Sequence, residues 1–289
     1  MAESGIVLGS LLVAGVVFRL VRAYEPERVR GPLRVDPAEP MGLLAGVTFA
    51  GFAGWMLASV AAVSFFRGAS TQSTTVPVDL PPLVLVRSGI IVQLAGLAVL
   101  GGANLIFRAG GLGRLGLSAR AMPSGLRAGS IGVCFVVPAM FCVGFATEIF
   151  YRVVHLQHPA KHELLTAMDK SDNLHLRILA IISAVAIAPM FEELLFRGHL
   201  QTLLRRSFTE RREPDGRVHA HDSSGRIWLG IVFASAAFAM VHPVWMYPPI
   251  FFLAVCLGYI YERSGSLWAP ILVHAAFNAI QTAFSLAAG

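Results

Sequence analysis

Residues Ile178–Leu204 read ILAIISAVAIAPMFEELLFRGHLQTLL, and the reading of this stretch decides the fold. A helix that crosses the hydrocarbon core of a bilayer needs about 20 mainly apolar residues. The run supplies them, yet Glu192, Glu193 and Arg197 lie inside it. Charged groups at membrane depth are costly, so they face the interior of a helix bundle and mark function. Glu193 and Arg197 are four residues apart, on one helical face and able to pair. Glu192 points about 100° away around the helix, which leaves a second carboxylate free to act as a general base.

Worked outward from this segment, the rest of the chain has the same apolar character. Of 289 residues, 55% are hydrophobic and 14% charged, and the mean hydropathy is +0.66. A soluble domain carries roughly 25% charged residues, so the composition excludes an ordinary soluble protein and predicts an all-α, polytopic membrane helix bundle. Apolar runs fall at Gly5–Leu20, Gly42–Phe66, Leu83–Phe107, Gly129–Phe150, Ile178–Leu204, Ile227–His242, Pro249–Tyr261 and Leu267–Ala288, which makes about eight spans. The sixth and seventh are short, and Pro243, Pro248 and Pro249 at their junction favour a sharp turn. Glu3 precedes the first run without any Lys or Arg, whereas a cleavable signal wants a positive start; a retained first span is expected.

The net charge of +6 reads as orientation rather than nucleic-acid binding, since Arg accumulates in cytoplasmic loops. Alternate connections, at 22–34, 108–127, 205–226 and Arg263, hold 15 Lys and Arg; the others hold 5, namely Arg67, Arg152, Lys161, Lys170 and Arg177. Arg19, Arg87 and Arg197 remain inside spans. A multi-pass protein of a bacterial-type plasma membrane, with both termini non-cytoplasmic, is the expectation. Cys134, Cys142 and Cys256 all lie in apolar runs and form no zinc-type spacing, so they read as small hydrophobes.

Ionisable groups lie deep only in the last four spans. Phe238 and His242 share a helical face, as do His274 and Asn278. Together with Glu192, Glu193 and Arg197, these polar groups are costly in lipid unless they satisfy one another around a cavity. The order Glu-Glu-x-x-x-Arg, Phe-x-x-x-His and His-x-x-x-Asn, at Glu192–Arg197, Phe238–His242 and His274–Asn278, resembles the motifs of CPBP (ABI) intramembrane proteases, a family that includes the type II CAAX prenyl endopeptidases. The resemblance covers about Ala188–Ile280, with Phe196-Arg197-Gly198 and Ser264-Gly-Ser-Leu-Trp268 inside it. It implies two units within one membrane body, motif-free helices over 1–174 and a four-helix catalytic core over 175–289.

The resemblance further implies roles. Glu192 with His242 would activate the attacking water, His274 and Asn278 would stabilise the oxyanion, and Glu193 and Arg197 would hold the first motif in place. The chemistry is consistent with that division, because a carboxylate–imidazole pair can take a proton from water and an amide or imidazolium can donate to an oxyanion. The implied substrate is a membrane-associated, lipidated or prenylated peptide or protein in the lipid bilayer, with no nucleic acid. The family is described both as metal-dependent and as glutamate proteases, and Glu192, His242 and His274 are a set that could ligate a divalent metal such as zinc. Two other classes stay open at this point. One is a transporter or proton relay built on the same buried groups; the other is a non-catalytic immunity or scaffold protein on the same fold.

The remaining polar residues take plainer readings. His155, His158 and His162 are expected in a solvated loop, and the His162–Thr166 stretch lacks the second histidine of a zincin helix. His219 and His221 are expected in a mobile loop over Glu210–Gly225, and Thr71–Pro82 in a solvated connection. His199 is a possible cavity residue, while Trp245, Tyr247 and Trp268 read as interface anchors. If the fifth helix ends near Arg197, Glu192 and His242 meet only through helix tilt; if it runs on towards Leu204, Glu192 sits near mid-membrane. The second arrangement is expected, since 200–204 stays largely apolar.

Overall fold

The computed structural model describes residues 40–69, 82–107, 110–159, 165–166, 173–212, 218–220 and 224–288. Helices α1 (Met41–Ala69), α2 (Pro82–Phe107) and α3 (Met122–Val153) lead to the long helix α4 (Leu174–Thr209). Strands β1 (Glu210–Arg212) and β2 (Val218–Ala220) follow, then α5 (Ser224–Met240), α6 (Tyr247–Ser264) and α7 (Trp268–Ala288). The molecule is a membrane bundle of helices, all-α over the described residues apart from that one short strand pair. Among the described residues six helices are long and apolar enough to cross a membrane, and α5 is a shorter apolar helix. The expected first span, Gly5–Leu20, lies outside the described residues, as do His162 and most of the Thr71–Pro82 connection.

Helix α4 is the axis of the bundle. Its 36 residues continue well past Arg197, so Glu192 lies near the middle of the helix rather than at one end. The helix is not uniform. Ser183–Ile187 and Leu194–Gln201 are wound as π segments. Pro189, which has no N–H to donate, follows the first of them. Such widened turns expose backbone carbonyls to side chains, and three are used. Asn278 Nδ2 donates to Ala184 O at 2.8 Å, His199 Nδ1 to Leu194 O at 2.8 Å, and Thr202 Oγ1 to Arg197 O at 3.1 Å.

The apolar core forms around the same helix. Phe191, Leu194, Leu195 and Phe196 are buried with Leu100 of α2, Phe238 of α5, Ala254 of α6 and Ile271 of α7. Phe52, Phe196 and Phe238 form an edge-on aromatic run with centroids 5.2 and 4.9 Å apart, the geometry that ring quadrupoles favour. Close helix approach depends on absent side chains. A Cβ on Gly129 would lie 2.9 Å from the Ala269 carbonyl oxygen, and those on Gly125 and Gly132 would meet Ser266 and Val273 at 2.5 and 2.8 Å. Small residues bring α3 against α7 in this way, as is usual where lipid supplies no hydrophobic drive between helices.

The two ends of the bundle are closed differently. At one end, Gly116 and Gly265 adopt left-handed φ of 73° and 62°, a conformation that glycine adopts without strain. Ser266 Oγ donates to Gly116 O at 3.0 Å, and Trp268 Nε1 to Ser118 O at 3.2 Å. This docking gives the Ser264–Trp268 stretch a structural purpose, and Trp268 is a link between segments rather than only an interface anchor. At the same end β1 pairs antiparallel with β2, Arg211 opposite His219; Glu210–Gly225 therefore contains a β-hairpin, not only the mobile loop expected. At the other end, His242 and Pro243 form the turn between α5 and α6, where prolines were expected to force one.

Candidate active site

Glu193 is the hub of the buried polar groups. It has no solvent exposure, and its Oε1 accepts from Arg197 Nη1 at 3.1 Å and from His274 Nδ1 at 2.9 Å. Arg197 is equally enclosed: its Nη2 donates to Ala254 O at 3.1 Å, and its guanidinium lies 4.5 Å from the Phe238 ring centroid. A cation stacked on an aromatic face and hydrogen-bonded through both terminal nitrogens is a costly group made tolerable by those partners. The i,i+4 spacing on α4 produces the Glu193–Arg197 pair, whereas contact with His274 requires α7 to fold back 81 residues later.

The hub fixes the orientation of the second histidine. A carboxylate oxygen accepts, so Nδ1 of His274 carries the hydrogen and the other ring nitrogen faces away. That nitrogen, Nε2, stands 3.9 Å from Glu192 Oε2. Glu192 is 20% exposed and Glu193 not at all, so adjacent carboxylates on one helix have opposite environments. His242 is fixed in a parallel manner: Nδ1 donates to the Phe238 carbonyl at 2.7 Å, with the two rings 4.8 Å apart. Its Nε2 is left as the nitrogen able to accept or donate elsewhere.

Glu192, His242, His274 and Asn278 line one cavity of about 630 Å³, a size within the range of sites that bind small ligands or peptide segments. Glu193 and Arg197 stand behind its wall. Among the described residues, Glu192 and His242 share the cavity without a direct hydrogen bond. One Asn278 N–H is used on Ala184 O, which leaves the amide a second donor and a carbonyl oxygen. All six residues singled out in the sequence therefore belong to one assembly, four on the cavity wall and two holding it.

The possible zinc set does not assemble in this conformation. Glu192 approaches His274, but among the described residues no three His, Cys, Asp or Glu side chains gather closely enough to hold a metal ion.

Several sequence expectations need correction. His158 is not a solvated loop residue. It lines the outer part of the cavity, stacks on Trp245 at 5.4 Å, and its Nε2 lies 3.1 Å from Glu148 Oε2. Trp245 also lines the cavity, and Tyr151 Oη donates to its carbonyl at 2.9 Å. His199 is buried outside the cavity: Nδ1 donates to Leu194 O, and Nε2 is 2.9 Å from Asn104 Nδ2. Its role is to tie α2 to α4. Arg205 and Arg206, expected among loop charges, are buried. Arg205 Nη1 pairs with Glu262 Oε2 at 2.9 Å and Arg206 Nε with Glu210 Oε1 at 2.6 Å, while Gln201 Nε2 donates to Glu262 Oε1 at 3.0 Å. Sequence reasoning passed over Glu262 and Gln201; a glutamate abutting an apolar run was the available signal.

Residues 174–280 match the family model described as type II CAAX prenyl endopeptidase Rce1-like. The match begins at the first residue of α4 and ends within α7, so it contains all six residues above. No curated protein and no solved structure matches the chain.

Proposed function

We infer, from a membrane bundle whose residues 174–280 match a CAAX endopeptidase family, that this protein is an intramembrane endopeptidase that hydrolyses a peptide bond in a membrane-associated or lipidated polypeptide. The observation that carries the reading is the unequal treatment of two neighbouring carboxylates. Glu193 is consumed by Arg197 and His274, whereas Glu192 faces the cavity beside His274, with His242 on the same wall. A partly exposed carboxylate next to two histidine rings of fixed orientation is equipped to activate water.

In the proposed reaction, Glu192 takes a proton from a water molecule while His242 Nε2 helps to orient it. The hydroxide attacks the carbonyl carbon, and the negative charge that develops on the carbonyl oxygen is met by the second Asn278 N–H and by Nε2–H of His274 in its imidazolium form, whose Nδ1–H stays on Glu193. Preoriented donors of this kind act most strongly on charge that forms in the transition state. The tetrahedral species collapses with cleavage of the C–N bond, and the proton held by Glu192 passes to the departing amine. Glu193 and Arg197 are positioning residues: through Glu193 Oε1 they set the His274 ring.

The test uses the purified full chain in lipid nanodiscs with fluorogenic and lipidated peptides. Cleavage by the native protein is expected, lost in Glu192→Gln and His242→Ala at unchanged thermal stability. A Glu192→Gln protein that still cleaves overturns the reading. A chelator arm reports on metal: activity lost with chelator and restored by zinc requires a conformation in which a third ligand joins Glu192 and His274.

A further inference from the structure

Among the described residues the cavity lining runs from the bundle interior towards one end. Its deep wall is Glu192, Phe238 and His274, and its outer wall is Glu148, Tyr151, His158 and Trp245. Exposure rises along that direction, from 0% at Glu193 through 20% at Glu192 to 40% at Glu148. The opposite direction is blocked by packed core, with Leu115, Phe196, Tyr261 and Leu267 all buried, and beyond them by the ion pairs of Arg205 and Arg206.

The two ends carry different charge. The cavity end is formed by the C-terminus of α3, the N-terminus of α4, the α5–α6 turn and the C-terminal half of α7. The blocked end is formed by the start of α1, where Met41 Sδ lies 3.8 Å from Ser207 Oγ near the end of α4, and by the docking of the α6–α7 turn onto residues 115–118. Among the described residues, assigned by helix direction, the blocked end holds nine Lys and Arg, from Arg114, Arg120 and Arg127 through Arg205–Arg226 to Arg263, and the cavity end holds four: Arg67, Arg87, Arg152 and Arg177. Arg205 and Arg206 are neutralised by carboxylates; setting them aside leaves seven against four. Segments rich in Lys and Arg remain on the cytoplasmic side during insertion.

We propose that the cavity opens to the non-cytoplasmic face of the membrane, and that its substrate is an exported polypeptide, delivered from that side, rather than a protein held at the cytoplasmic surface. The chemistry of the opening fits an extended chain. Gln281 offers an exposed amide to a passing backbone, the Thr147 hydroxyl, which donates to Val143 O, keeps its acceptor capacity, and Trp245 offers a flat apolar face beside them. The substrate part of this inference rests on the peptidase reading above; the sidedness does not.

The experiment separates the two. Single cysteines are introduced at Gln157→Cys, exposed at the cavity end, and Ala119→Cys, exposed at the blocked end, in a full-length background with Cys134, Cys142 and Cys256 replaced by serine. A membrane-impermeant maleimide is applied to spheroplasts and to inverted vesicles, with detergent-opened samples as the control for folded, reactive protein. Labelling of Gln157→Cys in spheroplasts and of Ala119→Cys in inverted vesicles is expected, each at least tenfold above the other arm. The reverse pattern, or equal labelling of both, overturns the sidedness. Sealed proteoliposomes sorted by this labelling are then given a soluble peptide on one side. Cleavage is expected only from the Gln157 side, and cleavage only from the Ala119 side overturns the substrate assignment. Absence of cleavage from either side counts against the peptidase reading and leaves the labelling result standing.

Discussion

Helix α4 carries two buried ionic networks eight residues apart, and they are built for different ends. In the first, Glu193 joins Arg197 to His274 and thereby aims an imidazole at a cavity where Glu192 waits. In the second, Arg205 meets Glu262, which also holds Gln201, and Arg206 meets Glu210, and none of these residues lines that cavity. Both satisfy costly groups inside an apolar bundle. Only the first leaves a carboxylate and two ring nitrogens uncommitted. Burial of charge is therefore no sufficient mark of chemistry; what distinguishes a reactive network is a charged member that faces a cavity beside the pairing.

The largest effect is expected where one residue serves both stability and orientation. Glu193→Ala leaves Arg197 buried without its carboxylate, a loss of about 3–5 kcal/mol for a broken buried pair, and also frees the His274 ring. Thermal unfolding in detergent and peptide cleavage both fall. If stability is unchanged, the first network is not a structural pair at all and the contrast fails. Glu192→Gln divides the two readouts. Cleavage drops by roughly 10²–10⁴-fold, the scale of general-base catalysis, while the unfolding midpoint stays where it was. A large drop in the midpoint would mean that Glu192 belongs to the scaffold.

Glu262→Ala is the mirror experiment in the second network. Arg205 loses its carboxylate and Gln201 one of its acceptors. The loss is about 3 kcal/mol, at the low end for a broken buried pair, because Arg205 is near the end of α4 and can reach water. Cleavage per folded molecule, measured by active-site titration, is expected to match the native protein. A specific loss of turnover would show that the second network reaches the site through Gly258 and Ala254 of α6.

How much of this was legible in the sequence follows the range of each contact. The Glu193–Arg197 pair is local and could be read from spacing, as could the Phe238–His242 contact and the helical extents. Seven of the eight expected runs coincide with described helices to within a few residues at most ends, and α3 begins seven residues before its expected start. The hub could not be read: Glu193 and His274 are 81 residues apart, and Arg205 and Glu262 are 57 apart. Nothing in the local pattern says which of two adjacent glutamates faces inward, and π winding after Glu193 alters the angles that an ideal helix would predict. His158 shows the same limit, since its polar setting in sequence conceals a stacking partner 87 positions away in Trp245.

The smallest expected effect probes whether the first network depends on helix placement while the second does not. Gly129 abuts α7 five residues before His274, and a methyl group there would lie 2.9 Å from the Ala269 carbonyl oxygen and 3.1 Å from Leu272 Cβ. The neighbour on one side is backbone, so α3 and α7 must part slightly. Overpacking of this kind costs about 1 kcal/mol. The shift moves His274, which is carried on α7, relative to Glu192 and Glu193 on α4. The Arg205–Glu262 pair joins α4 to α6 and has no member on α7. Gly129→Ala is therefore expected to lower cleavage by roughly tenfold through misplacement of reacting groups, out of proportion to its small effect on the unfolding midpoint. Equal, minor losses in both would mean that the His274 ring is held by Glu193 alone and tolerates movement of the helix beneath it.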